Sequence, residues 1–221
     1  MSVPRLRLLA VDLDGTLVDS APDLAHCVDE AMLGAGVAPP GEALTRTWIG
    51  DGIETLLRKA FEHRGAAAGT REFDAALAAF SACYRENLFV RSRLYDGVRE
   101  TLAELEARGV ALACVTNKRL EFAEALLTAA GIRGRFASVI GGDSLPEKKP
   151  SPMPLAAAAR ESGVTAAQAA MVGDSHHDHD AAAAAGFAFV WASYGYCPRI
   201  DARPDAPYAT IRAFSELNTL V

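Results

Sequence analysis

Leu8-Leu9-Ala10-Val11-Asp12-Leu13-Asp14-Gly15-Thr16 is the stretch whose reading decides the fold. A short apolar run bounded by a glycine-containing turn reads as a buried strand. It carries two carboxylates, Asp12 and Asp14, to the strand's C-terminal edge, where open parallel sheets hold their ligands. Neighbouring carboxylates repel, and one pKa rises unless a cation lies between them. The pair therefore points to bound Mg²⁺, to an acid–base couple, or to both. A calcium loop fits poorly, because its twelfth position needs a bidentate Glu and, counted from Asp12, holds Asp23. A solvated turn is the bland alternative, and the rest of the chain has to decide.

Further apolar runs occupy 110–115, 137–140, 169–172 and 187–191, with helical patterns over 98–108, 120–130, 154–162 and 178–185. Strands alternating with helices predict an α/β fold, a parallel sheet wrapped by helices through right-handed crossovers. The segment from about 21 to 88 breaks the alternation. Its signals are helical, over 53–63, over 71–87 and from Pro22 onward, where Ser20 is a candidate N-cap and proline suits the first turn. This reads as a helical insert that rejoins the sheet near Tyr95-Asp96-Gly97.

A chain of 221 residues, half of them hydrophobic, has length for one large domain or for a core with an insert. A net charge of −6 argues against a nucleic-acid surface and offers no basic stripe to a membrane. Cys27, Cys83, Cys114 and Cys197 form no Cys-x-x-Cys pair, so neither a zinc framework nor a small disulfide scaffold is expected. Met1-Ser2-Val3-Pro4-Arg5 lacks a signal-peptide layout, and the longest apolar stretch, 181–192, is too short to span a bilayer. The expectation is a cytoplasmic protein.

The later strand ends carry polar residues too. Thr116-Asn117-Lys118 offers a hydroxyl and helix-opening N–H groups to a phosphate, or simply caps the next helix. Pro146, Pro150, Pro152 and Pro154 stiffen a loop around Lys148 and Lys149, which could hold one ammonium over a site or leave both solvated. Gly173-Asp174 ends the fourth strand, so Asp174 could face the same cation as Asp12. Oxygen donors favour Mg²⁺. His176, His177 and His179 offer a competing zinc or nickel site, although neighbours on one loop rarely all face one ion.

Together, Asp12-Leu13-Asp14-Gly15-Thr16-Leu17-Val18-Asp19-Ser20, Thr116-Asn117, Lys149-Pro150 and Gly173-Asp174-Ser175-x-x-Asp178 resemble, in order, the four motifs of the haloacid dehalogenase superfamily. Asp19-Ser20-Ala21-Pro22-Asp23-Leu24, Trp48-Ile49-Gly50-Asp51-Gly52 and Gly141-Gly142-Asp143 look like its phosphoglycolate phosphatase branch. The resemblance implies a Rossmann-like parallel sheet core (1–17 plus 94–221) flanked by helices, with an inserted α-helical cap domain (18–93). It implies that Asp12 attacks phosphorus to give an aspartyl-phosphate. Asp14 would give a proton to the leaving group and then activate water, which requires that it start protonated. Thr116 and Lys149 would hold the phosphoryl oxygens, with Asn117 beside them. Asp12, the Asp14 carbonyl and Asp174 would bind Mg²⁺, and Asp178 would anchor the metal site or Lys149. Lys148 is the rival to Lys149.

The implied activity is Mg²⁺-dependent hydrolysis of a small-molecule phosphate ester, 2-phosphoglycolate above others, by a monomer or homodimer. The alternatives are a phosphosugar mutase, a phosphonate hydrolase built on the sole cap lysine, Lys59, and a catalytically silent metal- or phosphate-binding regulator. Gly50 and Gly52 could bring backbone N–H groups close to the leaving group, or could form a plain turn. Arg46 or Arg58 could meet a substrate carboxylate. Turnover should involve the cap swinging about Val18-Asp19 and 91–93.

Overall fold

The computed structural model describes residues 6–197 and 207–221; Met1–Arg5, read above for targeting signals, lie outside them. The opening stretch forms strand β1 (Leu8–Val11), with every residue buried. It pairs in parallel with β4 (Ala111–Val115) on one side and β6 (Ala169–Gly173) on the other. Beyond them stand β5 (Ser138–Ile140), β7 (Ala188–Ala192) and β8 (Ala209–Ile211), giving a parallel sheet ordered β5-β4-β1-β6-β7-β8. Strands buried on both faces read as continuous apolar runs, which is why β1, β4 and β6 stand out in the sequence.

The register positions the chemistry. Val11 lies opposite Cys114 and Val172, so the chain leaves the sheet at Asp12 beside Thr116 and Asp174. Helices α5 (Val98–Ala107), α6 (Leu120–Ala129), α7 (Met153–Glu161) and α8 (His176–Ala185) cover the sheet faces. Helix α8 starts two residues earlier than its periodicity indicates, because Ser175 and Asp178 form a reciprocal capping box.

The insert is helical, as expected: α1 (Ala21–Gly34), α2 (Glu42–Arg46), α3 (Ile53–His63) and α4 (Arg71–Asn87). Phe61, Phe73, Phe80 and Tyr84 fill its interior, with Phe61 edge-on to Phe73 at 5.3 Å. Thr70 caps α4 by accepting from the Phe73 N–H at 3.2 Å. Tyr84 reaches the sheet domain, packing against Phe122 of α6 at 5.2 Å. Cys27 and Cys83 are joined by a disulfide between α1 and α4, across a separation of 56 residues. The spacing of the cysteines gave no sign of this bridge; it depends on which faces of α1 and α4 meet.

Two short strands link insert and sheet. Val18–Asp19 (β2) pairs antiparallel with Arg93–Leu94 (β3), so the chain leaves and returns as a two-stranded ribbon. Asp23 secures the return. Fully buried, it accepts from the N–H groups of Val90, Arg91 and Ser92 at 2.8–3.0 Å and from the Ser92 hydroxyl at 2.6 Å. Asp23→Ala strands the buried Ser92 donors and frees the ribbon's return, and is expected to cost about 3 kcal/mol in urea unfolding. An unchanged midpoint would mean that the carboxylate does not hold the ribbon.

Candidate active site

Asp12 leaves β1 almost buried and accepts from the Lys149 ammonium at 2.8 Å. Lys149 also donates to Asp178 at 2.6 Å and to the Val115 carbonyl at 2.5 Å. All three N–H bonds of this buried ammonium are therefore satisfied. Burial opposes its charge, but the Asp12 and Asp178 carboxylates outweigh burial and hold Lys149 above the ordinary lysine range. Lys148 is exposed and donates to the Asp51 carbonyl at 2.6 Å. The geometry thus places Lys149, and not its neighbour, against Asp12.

Asp174 lies across from Asp12. Its Oδ1 accepts from Thr16 Oγ1 at 3.1 Å and its Oδ2 from the Tyr196 N–H at 2.7 Å. Burial pushes the Asp12 carboxyl up to about 6, against the pull of Lys149, while Asp178 and Asp14 push the same way as burial. Asp174 is raised well above the carboxylate range by burial and by the charges of Asp12 and Asp178. Oxygens of Asp12, Asp174 and Asp178 lie within 4.8 Å of one another. Among the described residues this is the one group with metal-ligand spacing, and its donors are all oxygen. Such a set suits a hard cation such as Mg²⁺. Gly195 packs so closely that an added Cβ would stand 2.2 Å from the Asp174 Cβ, which fixes the carboxylate in place.

The histidines do not converge on an ion. His177 pairs with Asp51 at 2.6 Å, His176 packs tilted against the His177 ring, and His179 packs edge-on to Phe189.

Asp14 has different company from that expected. The anticipated crowding by carboxylates is replaced by Lys118, whose ammonium lies 3.0 and 3.1 Å from the two Asp14 oxygens. The Ser20 hydroxyl donates to Asp14 as well. Ser20 does sit at the N-cap position of α1, yet its side chain serves Asp14 and makes no capping bond. Lys118 lies over the Tyr84 ring, 4.7 Å from its centroid.

Thr116 and Asn117 follow β4. Thr116 Oγ1 accepts from the Lys118 N–H at 3.2 Å, and the residue is buried at the cavity wall. Asn117 ties insert to sheet: its amide donates to the Gly50 carbonyl at 3.0 Å and to the Lys149 carbonyl at 2.9 Å. Gly50 and Gly52 lie in the α2–α3 connection and line the same cavity. Gly50 presents its carbonyl to Asn117, so the anticipated close approach is made here by a backbone oxygen.

These groups surround one cavity of about 30 Å³ beneath the insert, where roughly 10–15 Å³ suffices for one water. Asp51 lies between two residues of the cavity wall, Gly50 and Gly52. It receives His177 and Lys59 on its carboxylate, and its carbonyl takes Lys148. Burial raises the Asp51 carboxyl, but Lys59 and His177 outweigh this and hold it low. Lys59 is spent on that pair and does not line the cavity. Arg46 binds Asp19 and Glu42, and Arg58 binds Glu54, so neither candidate arginine reaches the cavity.

Tyr196 is a connection that the sequence reading missed. Beyond its bond to Asp174, its hydroxyl accepts from the Ser20 and Ala21 N–H groups at 2.7 and 3.0 Å and faces Asp19 at 3.2 Å. It joins the carboxylate cluster to the ribbon that carries the insert. Nothing local marks it, since the link spans 176 residues.

A parallel sheet with four polar strand ends meeting under a helical insert is the architecture of the haloacid dehalogenase-like hydrolases. The model of that family matches residues 9–192, and the chain belongs to the family. A phosphoglycolate phosphatase from Nitrosococcus oceani is 42% identical over 215 residues, covering 97% of this chain and 96% of the relative. The crystal structure of a predicted phosphoglycolate phosphatase from Haemophilus somnus 129pt superposes with a TM-score of 0.91 at 36% identity, covering 99% of each chain. CbbY from Rhodobacter sphaeroides, solved in complex with phosphate, superposes with a TM-score of 0.77 at 25% identity, covering 96% of each.

Proposed function

We propose that the protein is a Mg²⁺-dependent phosphatase that hydrolyses a small phosphate monoester, 2-phosphoglycolate, through an aspartyl-phosphate at Asp12. The single observation that carries this is the meeting of Asp12, Asp14 and Lys149 around one cavity, with Asp174 in oxygen-ligand range of Asp12. The substrate follows from the full-length similarity to phosphoglycolate phosphatases.

Asp12 supplies the carboxylate oxygen that attacks phosphorus, and Lys149 holds it ionised and aimed. Phosphoryl transfer depends mainly on positioning and charge neutralisation. Lys149 and the Thr116 hydroxyl serve the equatorial phosphoryl oxygens. Asp14 takes up a proton from solvent, gives it to the departing alkoxide oxygen, then takes one from the water that cleaves the acyl phosphate. For this it turns from Lys118 toward the ester oxygen. Asp12 and Asp174, with the Asp14 carbonyl, would hold Mg²⁺, which when bound neutralises charge between the carboxylates and the phosphoryl group. Asp178 stays with Lys149 and the N-terminus of α8. Since the cavity holds only about two waters, the insert must open to admit an ester and closes to exclude solvent.

A panel of phosphate esters with Mg²⁺, including 2-phosphoglycolate and hexose phosphates, tests this reading through phosphate release. Hydrolysis of 2-phosphoglycolate above the others is expected. A protein inert on every ester would overturn it.

Metal dependence has a pH signature. Both cluster carboxyls are raised in the folded, metal-free protein, so folding favours their protonated forms. Their contribution therefore falls as pH rises from the ordinary carboxylate value through about 6 for Asp12. Mg²⁺ competes with those protons. Adding it should raise the melting temperature more at pH 8 than at pH 5, and EDTA should reverse the effect. An equal shift at both pH values would count against metal binding by these carboxylates.

A further inference from the structure

We propose that Lys118 binds the non-reacting carboxylate of the substrate and so selects phosphate esters that bear a second anion two carbons along. The proposal rests on the phosphatase reading above and names the specificity element of that site.

Lys118 and Lys149 are the two ammonium groups that line the cavity among the described residues, and no arginine does so. The three N–H groups of Lys149 go to Asp12, Asp178 and the Val115 carbonyl, and the one on Asp12 is the one the phosphoryl group takes over. Lys118 is different. Its side chain is 2% exposed, and its one anionic partner is Asp14. Asp14 is also the group that must turn to the ester oxygen. When it turns, a sealed ammonium loses its counter-ion, which is a costly state. The Tyr84 ring beneath it replaces only part of that interaction. A carboxylate brought in by the substrate restores the pair.

Thr116 and Lys118 line the same small cavity, so one two-carbon acid phosphate can meet both. Thr116 then meets the phosphoryl end and Lys118 the carboxylate end. Leu24, Ile49, Ile53 and Leu56 make the rest of the wall largely apolar; Ser175 and His177 also line it, but neither is an ammonium or guanidinium group.

The test compares 2-phosphoglycolate with its neutral isostere, glycolamide phosphate, in wild type, Lys118→Met and Lys118→Arg. Wild type should favour the acid in kcat/KM by on the order of 10- to 100-fold, the worth of one buried charge-assisted pair. Lys118→Met should bring that ratio close to one, and Lys118→Arg should keep most of it. A ratio unchanged in Lys118→Met would overturn the proposal, because it would show that Lys118 acts only through Asp14. Affinities of the same two compounds, measured calorimetrically on Asp12→Asn protein with and without Lys118→Met, give the ratio without turnover. Should wild type release phosphate from no ester, the phosphatase reading fails while the affinity ratio still decides on Lys118. If Lys118→Met does not fold, retention of the preference by Lys118→Arg supports the proposal and its loss overturns it.

Discussion

Asp12→Asn should lower kcat by on the order of 100,000-fold, as expected when a covalent nucleophile is replaced by an inert isostere. The reason lies in the first turn of the chain. Asp12 is the carboxylate that emerges directly from the central strand, and the register of β1 with β4 and β6 sets it beside Lys149 and Asp174. Asparagine fills the same volume and can still accept from Lys149, while Asp178 continues to neutralise that ammonium. The fold should therefore survive. Burial raises the Asp12 carboxyl to about 6, so its ionised form opposes folding at neutral pH in the metal-free state. The variant should melt no lower than wild type at pH 8 in EDTA, and it should lose part of the stabilisation by Mg²⁺. Steady-state kinetics and thermal melts check both halves. Turnover within tenfold of wild type would remove Asp12 from the mechanism.

Lys149→Met should have the largest combined effect on stability and activity. The substitution preserves much of the side-chain volume and leaves two buried carboxylates, Asp12 and Asp178, facing each other without a cation. Breaking a buried ion pair by removing one partner costs about 3–5 kcal/mol. Urea unfolding at pH 8 should show a loss of that order. Because the stranded carboxyls can be relieved by protons, the loss should shrink as pH falls toward 5. Phosphate release should fall by on the order of 1,000-fold, since attacking and receiving oxygens lose their shared cation. A stable, active variant would show that Lys149 is not the cation on which the site is organised.

Much of this arrangement is legible in the sequence. Fully buried parallel strands leave continuous apolar runs, and the residue after each run is where the sheet delivers chemistry. That is why Asp12, Thr116 and Asp174 could be placed at neighbouring strand ends, and why the insert announced itself by the absence of strands. Short elements were not legible. Helix α2 has five residues, β2 and β3 two each and β8 three, too few to show a period.

Side-chain partnerships across the fold were equally hidden. Ser20 reads as a helix cap because local sequence favours capping, yet Asp14, six residues away, takes its hydroxyl. Asn117 reads as a phosphate ligand or cap and serves to clasp Gly50. Lys118 draws no role of its own from the sequence, where it only closes the Thr116-Asn117-Lys118 strand end. Its burial arises only because Tyr84 of the insert closes over it and Asp14 arrives from β1, contacts that no local pattern encodes. The Cys27–Cys83 bridge depends likewise on how α1 meets α4.

The central claim is that phosphate passes through Asp12. Enzyme in excess over ³²P-labelled 2-phosphoglycolate, mixed with Mg²⁺ and quenched in acid at millisecond intervals, tests it most directly. We expect label to appear on the protein, map to the peptide containing Asp12, decay as free phosphate forms, and be absent from Asp12→Asn. Release of labelled phosphate with no labelled protein at any time, or label on another residue, would contradict the account.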